Sequence, residues 1–332
     1  MVNVAIHASQ FPDNVRRDLL ESLRARRVNH KFHYDSLKQT QKWLTLHQAY
    51  SPSRSDADCA AAYDQSSEAT AVRVKAERVH LIGLGCGGGQ KDTRLLGLLK
   101  ARNKEVFYTP CDVSLAMVLA ARQTALAAVA EQNCFPVVCD LASAGDLPAA
   151  LEKQSPPRAA RLITFFGMLP NFEPHDILPR LATLVRRGDL LLFSANLAPG
   201  EDYADGMKKI LPQYDNPLTR DWLMTFLLDL DVEQSDGQIR FGIEDDPAGS
   251  GLKRVTAHFH FSRCTKIQVD DASFEFRADE SIRLFFSYRH TPGIVRTLLS
   301  QHGLAVPGQW VAKSGEEGVF LCHRGSMKCD SH

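Results

Sequence analysis

The feature that most constrains this chain is a rhythm between Arg78 and Ala195, where apolar runs of strand length alternate with stretches of helical spacing. The runs are Val79 to Leu84, Val106 to Cys111, Val137 to Cys139, Leu162 to Phe166 and Leu190 to Phe193. Strands that read as unbroken apolar runs are buried on both faces, so helices must cover both sides of a parallel sheet. Two helix starts fit that scheme: Ser114 as N-cap of the stretch after it, and Asp176 as N-cap of ILPRLATLVRR, with Gly188 as the stop.

Outside this stretch the pattern changes. Val15, Leu19, Leu20 and Leu23 share one face of an amphipathic helix over Asp13 to Arg27. From Tyr34 to Asp56 the text is irregular and reads as a lid or ligand loop. After about Pro199 a helical stretch near Trp222 to Leu230 leads into alternating segments at Ile239 to Ile243, Val255 to Phe261 and Phe274 to Arg277, which predict a separate α+β lobe. The end reads strand, helix, strand, strand, over Leu284 to Tyr288, Pro292 to His302, Gln309 to Lys313 and Gly318 to Cys322, closing in an antiparallel hairpin. The expected division is a core over 70–198, closed by 285–326, with a second lobe from 1–69 and 199–284.

Length and charge narrow the partners. With 332 residues and 44% hydrophobic content the chain can bury a sizeable core in two parts. Lys plus Arg equals Asp plus Glu at 39 each, and no basic run is long enough to follow a phosphate backbone, so a small molecule rather than nucleic acid is expected. No apolar run is long enough to span a bilayer and the start lacks a signal peptide's apolar stretch, so no membrane association, a cytoplasmic location and a monomer are expected. The 8 cysteines lack paired CxxC spacing, which predicts reduced and mostly buried thiols with Cys329 exposed in the tail, and no metal site. His258 and His260 share a strand face but have no third ligand nearby.

The segment VHLIGLGCGGGQK carries the first chemical signal. It runs from a strand into a turn where Gly85, Gly87, Gly88 and Gly89 let backbone approach a ligand closely. Gly83, Gly85 and Gly88 also satisfy GxGxxG, so the turn alone serves a nicotinamide dinucleotide as well as S-adenosylmethionine. Asp112, after the second strand, can accept both ribose hydroxyl protons and leaves that choice open. Asp140, after the third strand, can accept the adenine amine, with the Leu141 amide donating to the ring. Together with the closing hairpin, Asp140 favours S-adenosylmethionine over the alternative, a NAD(P)-dependent oxidoreductase.

These pieces resemble the histidine-specific methyltransferase family of the ergothioneine pathway. That family's Tyr-Asp pair and Tyr-Tyr-Pro-Thr-Arg loop look like Tyr34-Asp35 and Tyr50-Ser51-Pro52-Ser53-Arg54. Its Gly-Ser-Gly turn and Lys-Thr-Arg look like Gly85-Cys86-Gly87 with Lys91 and Asp92-Thr93-Arg94; its Asp-Val-Ser is Asp112-Val113-Ser114. Its Gly-Asn-Phe looks like Pro170-Asn171-Phe172, and its Tyr-Asp like Tyr214-Asp215. The resemblance implies an α/β, Rossmann-like, seven-strand class I methyltransferase core beside a substrate lobe. By it, Lys91 pairs with the cofactor's methionine carboxylate, Asp112 holds the ribose and Asp140 the adenine. Asn171, Tyr34 and Tyr214 orient the amino and carboxylate groups of an amino-acid acceptor.

Two departures bear on the acceptor. The family's second loop tyrosine is Ser51, and its Ile-Arg-Thr-Glu-Val-Ser pattern reads Ile282-Arg283-Leu284-Phe285-Phe286-Ser287. Ser287 is kept, but Phe285 stands where a glutamate would bind an imidazole. A buried N–H without its acceptor costs about 1–3 kcal/mol, so an aromatic or aliphatic amino acid, a modified one or a small amine is expected in place of histidine. A non-catalytic S-adenosylmethionine-binding or regulatory protein is the alternative that these departures and Pro170 keep open.

Overall fold

Thirteen strands occur among the described residues, 1–325, of the computed structural model; Cys329 lies outside them. In chain order they are β1 (Ala5–Ile6), β2 (Arg78–Leu84), β3 (Glu105–Asp112), β4 (Val137–Val138), β5 (Ala160–Phe165), β6 (Leu190–Asn196), β7 (Gly237–Asp245), β8 (Lys253–Phe261), β9 (Thr265–Val269), β10 (Ala272–Phe276), β11 (Ser281–Arg289), β12 (Leu304–Val311) and β13 (Glu317–Arg324). The helices are α1 (Pro12–Arg24), α2 (Leu37–Tyr50), α3 (Pro52–Ser55), α4 (Ala57–Arg73), α5 (Gln90–Lys100), α6 (Leu115–Ala125), α7 (Leu147–Gln154), α8 (Pro174–Leu184), α9 (Tyr203–Tyr214), α10 (Pro217–Leu228) and α11 (Pro292–Gln301).

The main sheet runs β1-β4-β3-β2-β5-β6-β13-β12. Strands β1 to β6 pair in parallel, and β13 enters antiparallel between β6 and β12. This is the expected seven-strand core with one strand more, because the segment after the N-terminus adds β1 beside β4. The central strands are apolar on both faces, and two buried clusters flank them, one including Ile82, Phe165 and Phe193 and the other Leu81, Leu95 and Leu162. Ser114 caps α6 by accepting from the Met117 amide, as its position predicts.

The second lobe is the three-stranded antiparallel sheet β11-β8-β7 with the β9–β10 hairpin, and α10 supplies Trp222, Leu223 and Phe226 to its apolar core. Strand β11 therefore belongs to this lobe, not to the closing unit expected from 285 onward. Its residues Ser281 to Arg289 pair with β8, and the core resumes with α11. The expected lobe over 1–69 is likewise divided: β1 joins the main sheet, and Cys59, Tyr63 and Ala71 of α4 pack in its core.

Three local expectations change. The irregular segment after Tyr34 is mostly helix α2, started by a reciprocal cap between Ser36 and Gln39. Helix α8 begins at Pro174, whose fixed φ suits a first turn, so Asp176 lies inside that turn instead of capping it. The same helix ends at Leu184, and Gly188, at φ +92°, makes the turn into β6. No helix among the described residues is long and apolar enough to cross a membrane.

Candidate active site

A cavity of about 480 Å³ opens where β2, β3, β5 and β6 end, roofed by α2 to α4 and bordered by the smaller lobe. That is the edge at which open parallel sheets bind ligands. Gly85, Cys86, Gly87, Lys91, Asp112 and Val113 line one part of it. Gly85 and Gly87 adopt left-handed φ of +64° and +51°, and a Cβ on Gly85 would lie 2.3 Å from Met168 Sδ, so this turn requires glycine. Asp112 accepts from the Gly87 amide at 3.1 Å and the Ser114 amide at 3.0 Å, which fixes its carboxylate beside the turn; burial raises its pKa.

The other part is lined by Tyr34, Ser51, Asn171, Tyr214, Phe285 and Ser287. Asn171 Nδ2 donates to the Phe286 carbonyl at 2.8 Å, leaving its Oδ1 without a partner among the described residues. Arg289 donates to the Tyr214 hydroxyl through Nε at 3.1 Å and Nη2 at 2.9 Å. A guanidinium can only donate, so Tyr214 accepts from it and its own hydroxyl donates to Ser287 Oγ, 2.8 Å away. The Ser287 proton is then free to meet a ligand. Burial raises the Tyr34 pKa, keeping that hydroxyl protonated. Aromatic rings form the wall: Tyr34 lies 5.5 Å from Trp222 and 5.8 Å from Trp43, and Phe285 lies 5.8 Å from Trp222 and 6.0 Å from Tyr214.

Asp140 and Leu141 are not brought to this cavity. Asp140 is buried and turned into its own loop, accepting from the Ala142 amide at 2.9 Å and the Ser143 hydroxyl at 3.0 Å. It also faces Lys31 Nζ at 3.5 Å. Lys31 is itself buried, pairs with Asp18 as well, and an ammonium so placed needs carboxylates around it. Leu141 lines a separate apolar cleft with Ile177 and Leu181. His30, next to Lys31, lines the main cavity instead, and burial lowers its pKa to about 4, so it is neutral.

A family model described as histidine-specific methyltransferase, SAM-dependent, matches residues 15–324. The chain belongs to this family. It is an S-adenosylmethionine-dependent methyltransferase, and the hairpin strand β13 set antiparallel between β6 and β12 agrees with that assignment rather than with a nicotinamide enzyme. No curated protein matches the chain in sequence. Among solved structures it is similar to the CcbJ methyltransferase from Streptomyces caelestis, at 14% identity over 79% of this chain and 96% of that one, with a TM-score of 0.38. It is also similar to the sugar N-methyltransferase KedS8 from Streptoalloteichus sp ATCC 53650, at 13% identity, 84% and 92% coverage and a TM-score of 0.39. A third likeness is CalS10, an amino pentose methyltransferase from Micromonospora echinaspora, at 14% identity, 84% and 96% coverage and a TM-score of 0.38. At that distance these structures carry no argument about chemistry.

Several lining residues of this methyltransferase escaped the sequence reading. Asp92 follows Lys91 and accepts from Tyr108 and Thr164, each at 2.7 Å, with burial pushing its pKa up to about 6. Its Oδ2 sits 2.0 Å from where a Cβ on Gly83 would be, so Gly83 is needed to make room for this carboxylate. Trp43 also reaches the cavity from the segment expected to be a lid or ligand loop, and Trp222, Arg289 and Glu317 reach it from elements whose patterns read simply as core or surface.

Proposed function

We propose that this methyltransferase acts on the amine of an amino acid or a small amino-acid-like molecule whose side chain is not an imidazole. The observation that carries this reading is Asn171, whose amide is pinned through Nδ2 so that Oδ1 remains as an acceptor on the cavity wall. An acceptor there can take an N–H of an incoming amine and aim its lone pair, and alignment of that kind supplies several kcal/mol of a barrier. Bound S-adenosylmethionine supplies a methyl group already activated on a sulfonium. Gly85, Cys86 and Gly87 would approach it with backbone, Asp112 and Val113 would hold its ribose side, and Lys91 its carboxylate. The left-handed glycines and the fixed Asp112 carboxylate fit such a ligand.

The protein's remaining task is to orient the acceptor and keep it unprotonated. Tyr34 stays a neutral hydroxyl, so it positions the substrate and does not act as a phenolate base. Tyr214 and Ser287 form a polar edge beside Phe285, offering a donor in Ser287. Phe285 gives an imidazole N–H no acceptor where a glutamate would, which disfavours histidine. The test is release of S-adenosylhomocysteine in the presence of an amino-acid and amine panel. Turnover of a non-histidine amine is expected; histidine as the best substrate, or no turnover on any member, overturns the reading.

A further inference from the structure

One end of the cavity holds two opposite charges brought from distant parts of the chain. Lys91 stands in the first turn of α5, and Glu317 opens β13, in register with Asn196 at the end of β6. Their charged atoms are 4.0 Å apart, too far for a hydrogen bond, and Lys91 Nζ lies 3.7 Å from the centre of the Tyr63 ring. Glu317 is only 7% exposed. Its carboxylate accepts from the Tyr63 hydroxyl and from the Cys59 thiol at 3.2 Å, both neutral donors. Among the described residues no other cation pairs with it.

A buried carboxylate is costly unless charge and hydrogen bonds compensate it. An ionised carboxylate has about four acceptor positions, and Tyr63 and Cys59 fill only two here. Lys91 is equally incomplete: burial lowers its pKa, and it has no hydrogen-bonded acceptor among the described residues. A loose ion pair on a cavity wall is completed by a ligand that is itself a zwitterion, its carboxylate on the lysine and its ammonium on the glutamate. The acceptor amine is a poor match for Glu317, because a neighbouring anion holds an amine in its ammonium form, which has no lone pair to be methylated. The amine that suits Glu317 is one that must stay charged and unreacted.

We infer that Glu317, its carboxylate fixed by Tyr63 and Cys59, binds the α-ammonium of the methionine part of S-adenosylmethionine opposite Lys91. Glu317 thereby discriminates the intact cofactor from adenosine thioethers that lack the amino-acid end. It also ties α4 to β13 around the ligand, since its two donors both lie on that helix.

The test is calorimetric titration of the full chain and of Glu317→Gln with three compounds: S-adenosylhomocysteine, its analogue without the amino group, and methylthioadenosine. Glutamine keeps the size and an acceptor for Tyr63 but removes the charge. Glu317→Gln is expected to weaken S-adenosylhomocysteine by about ten- to a hundredfold. The other two compounds should bind both proteins within about threefold, the scatter expected where no charged partner is lost. A Tyr63→Phe variant, which frees one carboxylate oxygen, should weaken S-adenosylhomocysteine by about three- to tenfold and spare methylthioadenosine. Unchanged affinity for S-adenosylhomocysteine in Glu317→Gln overturns the assignment. So does an equal loss for all three compounds, which would reduce Glu317 to a tie between α4 and β13.

Discussion

The two parts of the cavity are built in different ways. The part around the glycine turn is assembled from short, contiguous pieces at the ends of β2 and β3, where backbone conformation sets the geometry and one carboxylate, Asp112, locks it. The acceptor part draws Tyr34 and Trp43 from the N-terminal segment, Asn171 from the turn after β5, Tyr214 and Trp222 from α9 and α10, and Phe285, Ser287 and Arg289 from β11. The first has little freedom to drift, because a side chain on Gly85 or Gly89 would collide with Met168 or Ala121. The second is a set of side chains from several separate elements, and at Phe285 on β11 it can exchange one ring for one carboxylate and keep its frame. One architecture can therefore hold its cofactor and change its acceptor.

If that contrast is right, the largest single effect belongs to Asp112. Asp112→Ala leaves the Gly87 and Ser114 amides without their acceptor and removes the carboxylate proposed to hold the ribose, so affinity for S-adenosylhomocysteine should fall on the order of a hundredfold by calorimetry. Unchanged affinity would break the comparison at its rigid end. Asn171→Ala should act on the other part alone. Turnover is expected to fall about ten- to a hundredfold through lost alignment, while S-adenosylhomocysteine binds as before; a matching loss in cofactor affinity would mean that the two parts are not separable.

The same contrast explains what could be read from the sequence. The Ser114 cap was legible because it is fixed by neighbours in the chain, and Gly85, Gly87 and Asp112 because glycines in a strand-to-helix turn and an acid at a strand end leave a pattern in the sequence itself. The parallel strands were legible for a similar reason, since burial on both faces writes an unbroken apolar run. The surroundings of Asp140 were not legible, because its position after a strand says nothing about Lys31, which comes from more than a hundred residues away and faces the carboxylate. Strand β11 misled because its pairing with β8 is not encoded in its own pattern, and Trp222 reads as core on an apolar helix that does bury its neighbours. Glu317, in the Ser-Gly-Glu-Glu stretch that joins the last two strands, looks like a solvated charge until β13 is seen entering between β6 and β12.

A gain of function sharpens the comparison further. Phe285→Glu restores an acceptor beside Ser287 without touching the glycine turn, and should raise histidine affinity about tenfold. Stability should fall, since Phe285 is packed against Trp222 and Tyr214. Calorimetry with histidine reads the first effect and a melting curve the second. If histidine binds no better, the acceptor part is not the exchangeable frame described here, and its specificity lies in Ser51 or the α2 roof.

The smallest effect is one of slope, and it probes the rigid end by its buried acid. Asp92 titrates near 3.8 in water but near 6 in the fold, because burial disfavours its charge more than Tyr108 and Thr164 favour it. Between those values the folded state keeps a proton that the unfolded chain has released. Its contribution is therefore complete below about pH 4 and is lost as pH rises through about 6. Asp92→Asn has no proton to lose. Any constant offset from its altered hydrogen bonds cancels when the melting-temperature difference between the two proteins is followed with pH, as do the buried histidines common to both. The wild type should lose ground against Asp92→Asn from pH 4 to about 6.5 and hold a steady difference above that. A difference that stays flat across the whole range would mean that this carboxylate is hydrated in solution and that the turn beneath the cofactor is looser than the packing of Gly83 against Asp92 requires.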